Sequence, residues 1–381
     1  MAKKSNLWTV FLLWVVSTGA ACAQTRDPES ENSPRETWVL SAQAEDTALG
    51  EGLPVLALDR QDWPRFRSDT SGTARAARSL RAELLATHPS GWQFSAVVRA
   101  EAWLEASPDA VTVAALDTTH TDPTGPQSFT LAARSQSWQG QGIKVGTPWW
   151  ALDHAGTWQW RANAQLLNLT KLRTDEITGS IAYSGAGVYD FNLAGQRANT
   201  SITGPFLPAS GTGGQGASLS VAFKGEPWPG LQLQVQADDL LSHLEWQSMA
   251  TDISALNSQV ATRAPDGTLN YAALLNGRMA LATLNERIGT HWRVNARWAL
   301  EDQPSSAVTA RAEYVAGMRQ FWLGWDSVYA EKTKWHWEIE PQRRALSAGL
   351  SWGHWQALMA TDGQGDSTEY RRWSLGWHAA W

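Results

Sequence analysis

The chain has 381 residues, of which 43% are hydrophobic and 18% charged, with a net charge of −6 at neutral pH. This composition excludes general disorder, and a mildly acidic chain lacks the basic surface that nucleic-acid binding requires. Tryptophan is unusually abundant, with 24 residues against 8 Phe and 6 Tyr. Because the indole ring favours boundaries between apolar and wet surroundings, this abundance is typical of membrane edges.

The N-terminus has the features of an export signal. Lys3 and Lys4 precede the apolar stretch Leu7–Val16, and small residues follow up to Ala23. The pattern predicts a Sec signal peptide over residues 1–23, cleaved after Ala23. The alternative of a lipoprotein signal at Cys22 fits poorly, since Gly19 stands where such signals usually carry Leu. Cleavage would remove the sole cysteine and exclude disulfides and catalytic thiolates.

From about residue 73 onwards, apolar and polar residues alternate with a period of two, which predicts β-strands with two different faces. No later apolar run reaches the ~20 residues of a transmembrane helix, so membrane insertion would require a closed barrel. Several runs reach the 9–11 residues that a tilted strand needs to cross a bilayer. A soluble Trp-rich β-protein that stacks on sugars is the competing interpretation. Tryptophans near the run ends form the expected membrane-interface girdle: Trp92, Trp158, Trp292, Trp298, Trp373 and Trp381.

The last strand carries a family resemblance. Its apolar face comprises Trp373, Leu375, Trp377, Ala379 and Trp381. This segment resembles the C-terminal β-signal of Gram-negative outer-membrane β-barrels, although those proteins more often end in Phe. The resemblance implies location in the outer membrane, contact with its lipid and lipopolysaccharide, and assembly by the barrel-assembly machinery.

The turn-forming residues that separate the alternating runs predict how the chain is organised. We expect a periplasmic extension or plug-like segment over residues 24–72, followed by an all-β, antiparallel transmembrane barrel over residues 73–381. Counting candidate strands gives about 12–14, with an even number expected. Two long connections, about 195–216 and 239–268, are assigned to the cell exterior, with a short helix considered over Leu240–Trp246.

The polar face of the strands would line the lumen. It supplies six arginines and two glutamates, which are candidates for setting selectivity: Arg99, Glu101, Arg161, Arg293, Arg297, Arg311, Glu313 and Arg372. An arginine-rich lining favours anionic solutes, whereas ladders of paired side chains would fill a narrow barrel. These two interpretations have equal support from the sequence.

The sequence predicts no catalytic residue, cofactor or metal site. Ser351 lies in a G-x-S-x-G pattern, but it falls within a strand, and His354 falls on the opposite strand face. A lipid-acting barrel enzyme would rest on Ser351 alone, so we expect no enzyme. The favoured function is an outer-membrane channel or uptake protein for small solutes, anions among them. The alternative is a structural or assembly barrel, accessory to secretion or surface-polymer export, with a periplasmic or secretion partner.

Overall fold

The computed structural model is an antiparallel β-barrel. It describes residues 37–55, 72–153, 156–185, 188–201, 211, 213–258, 261–263, 269–271, 275–300, 303–330, 333–363 and 367–380. The strands in the first half of the chain are β1 (Val39–Glu51), β2 (Ala74–Thr87), β3 (Gln93–Ala106), β4 (Gln127–Gly146), β5 (Trp150–Ala151), β6 (Trp158–Gly185) and β7 (Val188–Asn199). A helix, α1 (Pro108–Thr119), connects β3 to β4.

The described part of the second half of the chain contributes the remaining strands. They are β8 (Gly214–Trp228), β9 (Leu231–Asn257), β10 (Ala261–Arg263), β11 (Leu269–Tyr271), β12 (Leu275–Glu286), β13 (His291–Leu300), β14 (Gln303–Val315), β15 (Met318–Ala330), β16 (Thr333–Glu340), β17 (Ala345–Trp352), β18 (Trp355–Thr361) and β19 (Tyr370–Ala380).

The main sheet closes because β1 pairs with both β2 and β19. Between β6 and β9, one strand position is shared by β7 and β8, which pair with different halves of both neighbours. The next position is shared by β12 and β13, which pair with successive parts of β9. Counted by position, the barrel has 14 strands, which confirms the expected even number and the all-β fold.

The barrel begins earlier than the sequence predicted. Strand β1 lies within the segment assigned to a periplasmic extension, so the boundary at residue 73 is wrong for residues 39–51. The alternation of β1 is interrupted by Asp46, a carboxylate on its otherwise apolar outer face. Arg78 of β2 donates from Nε and Nη2 to this carboxylate, both at 3.0 Å. The compensating charge comes from another strand, which is why the local pattern concealed β1.

The two ends of the barrel differ. At one end, short connections join β2 to β3, β8 to β9 and β17 to β18; both chain ends of the described sheet, Val39 and Ala380, lie there. We call this the short-turn end, and the opposite end, with connections such as 52–73 and 107–126, the long-loop end. The sheet is tallest on one side, because β6 has 28 residues and β9 has 27. Such strands exceed the ~11 residues that cross a bilayer and therefore project beyond it.

Strand β9 corrects a second expectation. The segment Leu240–Trp246 is part of this strand rather than a helix, and much of the connection predicted over 239–268 is paired sheet. Asp239 has a positive φ of 54° next to a register shift against β8. This irregularity breaks the period of two at Leu240 and Leu241. In the sequence, two adjacent leucines at this point resemble the apolar face of a helical turn.

Helix α1 was not predicted, although its start carries a recognisable signal. Ser107 is the N-cap and accepts a hydrogen bond from the Ala110 amide, and Pro108 follows at the first helical position. The helix packs against the outer face of β4 and β6, where its apolar side chains cover Phe129 and Ile181.

Within the described residues, no helix is both long and apolar enough to cross a lipid bilayer.

Candidate functional site

The candidate site is the barrel lumen, into which the polar strand faces point. Four of the eight predicted lumen residues are far less exposed than a water-filled pore would allow, and the other four are half-buried. Arg99 is 5% exposed, Arg311 7%, Glu313 5% and Arg372 8%. By contrast, the outward faces are open to the surroundings, with Leu346 at 64%. The barrel therefore buries its charged face and exposes its apolar face, the arrangement of a lipid-facing barrel.

One group of ion pairs connects strands that are not neighbours in the wall of the lumen. The Arg99 guanidinium on β3 donates to both carboxylate oxygens of Asp239 on β9, at 2.9 and 2.7 Å. Arg99 also pairs with its strand neighbour Glu101. Arg81 on β2 reaches Glu101 at 3.1 Å and Asp238 on β9 at 3.5 Å. Because β4, β6 and β8 separate β3 from β9 around the wall, the contacts to β9 span the lumen.

A second group lies beside the first and is centred on Glu313 of β14. Its Oε1 accepts from Arg293 at 2.9 Å and Arg311 at 2.8 Å, and from Arg372 on β19 at 3.3 Å. Arg372 also pairs with Glu45 on β1 at 3.1 Å. Four strands separate β14 from β19 on one side of the wall, so the Glu313–Arg372 contact also crosses the lumen.

These two groups form a layer that we call the ion-pair belt. Arg311 extends it to Glu338 on β16, at 2.6 Å. The belt comprises five arginines and six carboxylates: Arg81, Arg99, Arg293, Arg311 and Arg372 with Glu45, Glu101, Asp238, Asp239, Glu313 and Glu338.

The belt has no excess of positive charge, although the polar face predicted from the sequence contains six arginines and two glutamates. The missed acids are Glu45, Asp238, Asp239 and Glu338. Glu45 lies in the segment assigned to the extension, and the two aspartates lie at the irregularity of β9. Glu338 alternates regularly with Trp335 and Trp337, so the period of β16 was a signal that could have found it.

The belt closes the lumen at this level in the described structure. Its side chains contact one another across the barrel and are mostly buried, which leaves little space for a continuous water column. The Nε atoms of Arg99, Arg311 and Arg372 are buried without a partner among the described atoms. A belt that pairs charges but leaves donors unsatisfied is less stable than a fully satisfied network and can rearrange at lower cost.

Apolar side chains fill the lumen next to the belt, mostly towards the long-loop end. We call this region the aromatic vestibule, and it has two walls that are packed in the described state, with Trp138 3% exposed and Trp246 and Trp322 0% exposed. Arg99 lies 5.4 Å from the Trp138 ring, and Arg311 lies 4.9 Å from the Trp322 ring, so a tryptophan covers the belt on each side. The walls are formed by Val97, Trp138, Leu167, Leu169, Leu172, Leu244, Trp246, Met249 and Ile288, and by Leu49, Met318, Trp322, Ala345, Ala360 and Tyr370.

The lumen on the short-turn side of the belt is polar and more open. Arg297 is 38% exposed and donates to Asp326 at 3.2 Å. His336 bonds the other oxygen of the same carboxylate at 2.5 Å. Arg161 stacks over Trp149, whose ring centroid lies 4.6 Å from the guanidinium carbon. Arg161 and Arg297 are thus the predicted lumen arginines that lie outside the belt.

The predicted girdle tryptophans occupy different environments. Trp92, Trp292 and Trp298 are exposed on the outer surface by 40%, 42% and 60%, while Trp158 and Trp373 are half-buried. Trp381 lies outside the described residues. Within the predicted assembly signal, Leu375 is exposed and Ala379 half-buried, but Trp377 is only 7% exposed. Trp377 therefore packs against protein where the alternation alone predicted contact with lipid.

Ser351 lies in β17, in register with Lys334 on β16 and Gln356 on β18. His354 lies in the turn between β17 and β18 and is not in register with Ser351. The part of the chain that the structure describes contains no group of three or more His, Cys, Asp or Glu side chains arranged to hold a metal ion.

No family model matches the chain, and no match is found among curated proteins. Solved structures with similar folds include a deletion mutant of the monoaromatic hydrocarbon channel TodX, at 8% identity and a TM-score of 0.43, covering 95% of this chain and 96% of that one. The CymD monoaromatic hydrocarbon channel has 9% identity and a TM-score of 0.21, covering 95% and 94%. The protease OmpT from Escherichia coli has 6% identity and a TM-score of 0.20, covering 91% and 96%.

The closed antiparallel sheet of 14 strand positions, with its apolar face outwards, is the architecture of outer-membrane β-barrels. At these identities and TM-scores the solved structures add no argument, so solute and activity have to be argued from the lumen itself.

Proposed function

We propose that this protein is an outer-membrane uptake channel for small solutes, closed in the described state by the ion-pair belt. The observation that carries the proposal is the cross-lumen pairing of Arg99 with Asp239, placed between an aromatic vestibule and a polar lower lumen. In this orientation the long-loop end faces the cell exterior and the short-turn end faces the periplasm. Export by the predicted signal peptide and assembly through the C-terminal strand belong to the same proposal.

The chemistry of the belt favours a gate over a permanent seal. A barrel that needs only a filled interior can use apolar side chains, which are often as stabilising as buried ion pairs or more so. Ion pairs differ because water, or an ionic group on a solute, can replace each partner. The belt therefore supplies a closure that exchanges its contacts during passage, while the packed apolar side chains of the vestibule beside it must separate as well.

The two compartments define the class of solute. The vestibule contains Trp138, Trp246 and Trp322, which are buried in the described state and would suit an apolar or aromatic body once its two walls separate. The belt presents arginines that a carboxylate or phosphate can engage when a belt carboxylate releases them. We infer that the preferred solutes are small organic molecules with an apolar body, and that anions among them pass more readily than neutral ones.

A non-conducting structural barrel is the second candidate. The closed belt supports it, because a filled lumen by itself transports nothing. Its other support was a long periplasmic extension, and residues 39–51 of that segment are a barrel strand. A secretion or surface-polymer partner remains part of this alternative.

Solute uptake into vesicles tests the two candidates. The purified barrel is reconstituted into phosphatidylcholine vesicles, and swelling is followed with benzoate, benzyl alcohol and a neutral sugar of similar size. The channel proposal predicts uptake of benzoate above the alcohol, and of both above the sugar. An Arg81→Gln variant, which removes the most exposed arginine of the belt, should reduce the preference for benzoate over the alcohol. Impermeability to all three solutes, in vesicles that contain folded barrel, would favour the structural candidate.

A further inference from the structure

A cluster of cationic side chains lies on the outer face of the barrel, where β6 and β7 rise above the lipid-facing surface. Arg173 and Arg197 are 62% and 58% exposed, and Lys171 is also exposed. Their direction follows from the register: Leu172, between Lys171 and Arg173, belongs to the apolar wall of the lumen. Neighbouring residues in a strand face opposite sides, so these cations point outwards.

Asp175 holds the two arginines in a fixed arrangement. One carboxylate oxygen accepts from Arg173 Nε at 2.6 Å, and the other from Arg197 Nε at 2.7 Å. Among the described residues, nothing accepts a hydrogen bond from the Nη groups of either arginine. Asp252 lies in register beside Arg197, so three cations face two carboxylates and the cluster keeps a positive excess. The carboxylate thus aligns two guanidinium groups whose remaining donors are free to bind an anion.

The level of the cluster identifies its surroundings. Below it on the same strand, Leu166 is 60% exposed and belongs to the lipid-facing surface. Above it, helix α1 covers Ile181, so the outer face is there packed against protein. Arg173 lies about 16 Å above Leu166, allowing for one bulged residue, a rise of ~3.4 Å per residue and a tilt of ~40°. The cluster therefore lies above the acyl chains, at the level of lipid headgroups and their sugars.

We propose that Lys171, Arg173 and Arg197 bind a phosphate group of the glycolipid in the outer leaflet, lipopolysaccharide. Arg173 and Arg197 donate from Nη to the phosphate oxygens, and Lys171 supplies a charge on the membrane side of them. Asp175 is a positioning residue that does not touch the phosphate. This site does not depend on whether the lumen conducts.

The test compares lipids that differ only in phosphate. The full mature protein is reconstituted in phosphatidylcholine vesicles that contain either bisphosphorylated lipid A or the same lipid with its phosphates removed. After detergent extraction, the lipid A retained per barrel is measured by mass spectrometry. We expect about tenfold more retention of the phosphorylated form, which corresponds to about 1.4 kcal/mol. The preference should weaken as salt rises from about 0.05 M to about 0.5 M.

The variant Lys171→Gln/Arg173→Gln/Arg197→Gln should lose this preference while still migrating as a folded barrel in unheated gels. Arg134→Gln is the matched control, since this exposed arginine stacks over Trp103 on the opposite face of the sheet. Equal retention of both lipids by the wild type, or an unchanged preference in the triple variant, would overturn the proposal. So would full competition by inorganic phosphate at about 10 mM, which would indicate a site for free anions.

Discussion

Arg99 and Asp239 are 140 residues apart in sequence, yet the guanidinium of one donates to both oxygens of the other across the lumen. Both side chains are almost completely buried, at 5% and 1% exposure. A contact of this kind does two things in a barrel. It joins two strands that are separated by three others in the wall, which stabilises the closed sheet, and it occupies space through which a solute would pass.

The first prediction concerns the stability that this contact provides. Asp239→Ala leaves a buried arginine without its bidentate partner, and we expect a loss of about 3–5 kcal/mol in the free energy of unfolding. Urea unfolding in vesicles, followed by tryptophan fluorescence, measures it. Asp175→Ala removes the partner of exposed arginines and should cost less than about 1 kcal/mol. Equal losses for the two variants would show that the belt is as solvated as the outer surface.

The second prediction concerns the charged pair on the lipid-facing side of β1. Asp46→Leu removes the carboxylate that Arg78 contacts on the outer face, and we expect a loss of about 1–3 kcal/mol. The double variant Asp46→Leu/Arg78→Leu should recover most of that loss, because apolar side chains suit a lipid-facing surface. Urea unfolding of the two variants measures their free energies of unfolding. A double variant less stable than the single one would contradict the outward placement of Asp46.

The third prediction uses a glycine of the lumen wall. A Cβ on Gly142 would lie 1.8 Å from the Leu166 carbonyl oxygen of the paired strand, whereas a Cβ on Gly349 would meet nothing closer than 3.4 Å. Gly142→Ala should therefore separate β4 from β6 locally and reduce the yield of folded barrel. Gly349→Ala should fold normally. The fraction of heat-modifiable protein in isolated membranes measures both, and normal folding of Gly142→Ala would show that β4 and β6 are less closely paired.

The fourth prediction concerns the start of α1. Ser107 Oγ accepts from the amides of Ala110 and Ala132, both at 3.2 Å, so it caps the helix and attaches it to β4. Ser107→Ala should cost about 1 kcal/mol and increase hydrogen exchange in the first turn. The Thr118 hydroxyl donates to the Ala114 carbonyl in the preceding turn, so Thr118→Ala serves as the control and should leave exchange in the first turn unchanged. Protection of the first turn that survives in Ser107→Ala would mean that packing alone holds the helix.

The sequence predicted the barrel, a range of 12–14 strands that includes the observed 14, and the polar lumen face, because the period of two is local and repeated. Where the alternation was interrupted, the predicted secondary structure was wrong. Asp46 hid β1, and the positive φ at Asp239 made part of β9 resemble a helical turn. In both cases a residue on another strand compensates the irregularity, and such pairing cannot be seen in a window of one strand.

The balance of charge in the lumen was predictable only in part. The arginines were found because they stand in regular strands such as β13 and β14. Their acidic partners Glu45 and Asp239 stand in the two strands that the pattern obscured. The expected positive interior thus became a belt of paired charges, and only the closed sheet shows which acid meets which arginine.

The most direct test of the closed belt is electrical. Wild-type protein and the variant Arg99→Ala/Asp239→Ala are inserted into planar bilayers, with Lys144→Ala/Glu83→Ala as a control that removes a lumen ion pair outside the belt. We predict rare, small openings for the wild type and the control, and frequent, larger openings when the belt pair is removed. A double variant that is folded and inserted but conducts no more than the wild type would contradict the belt as the gate.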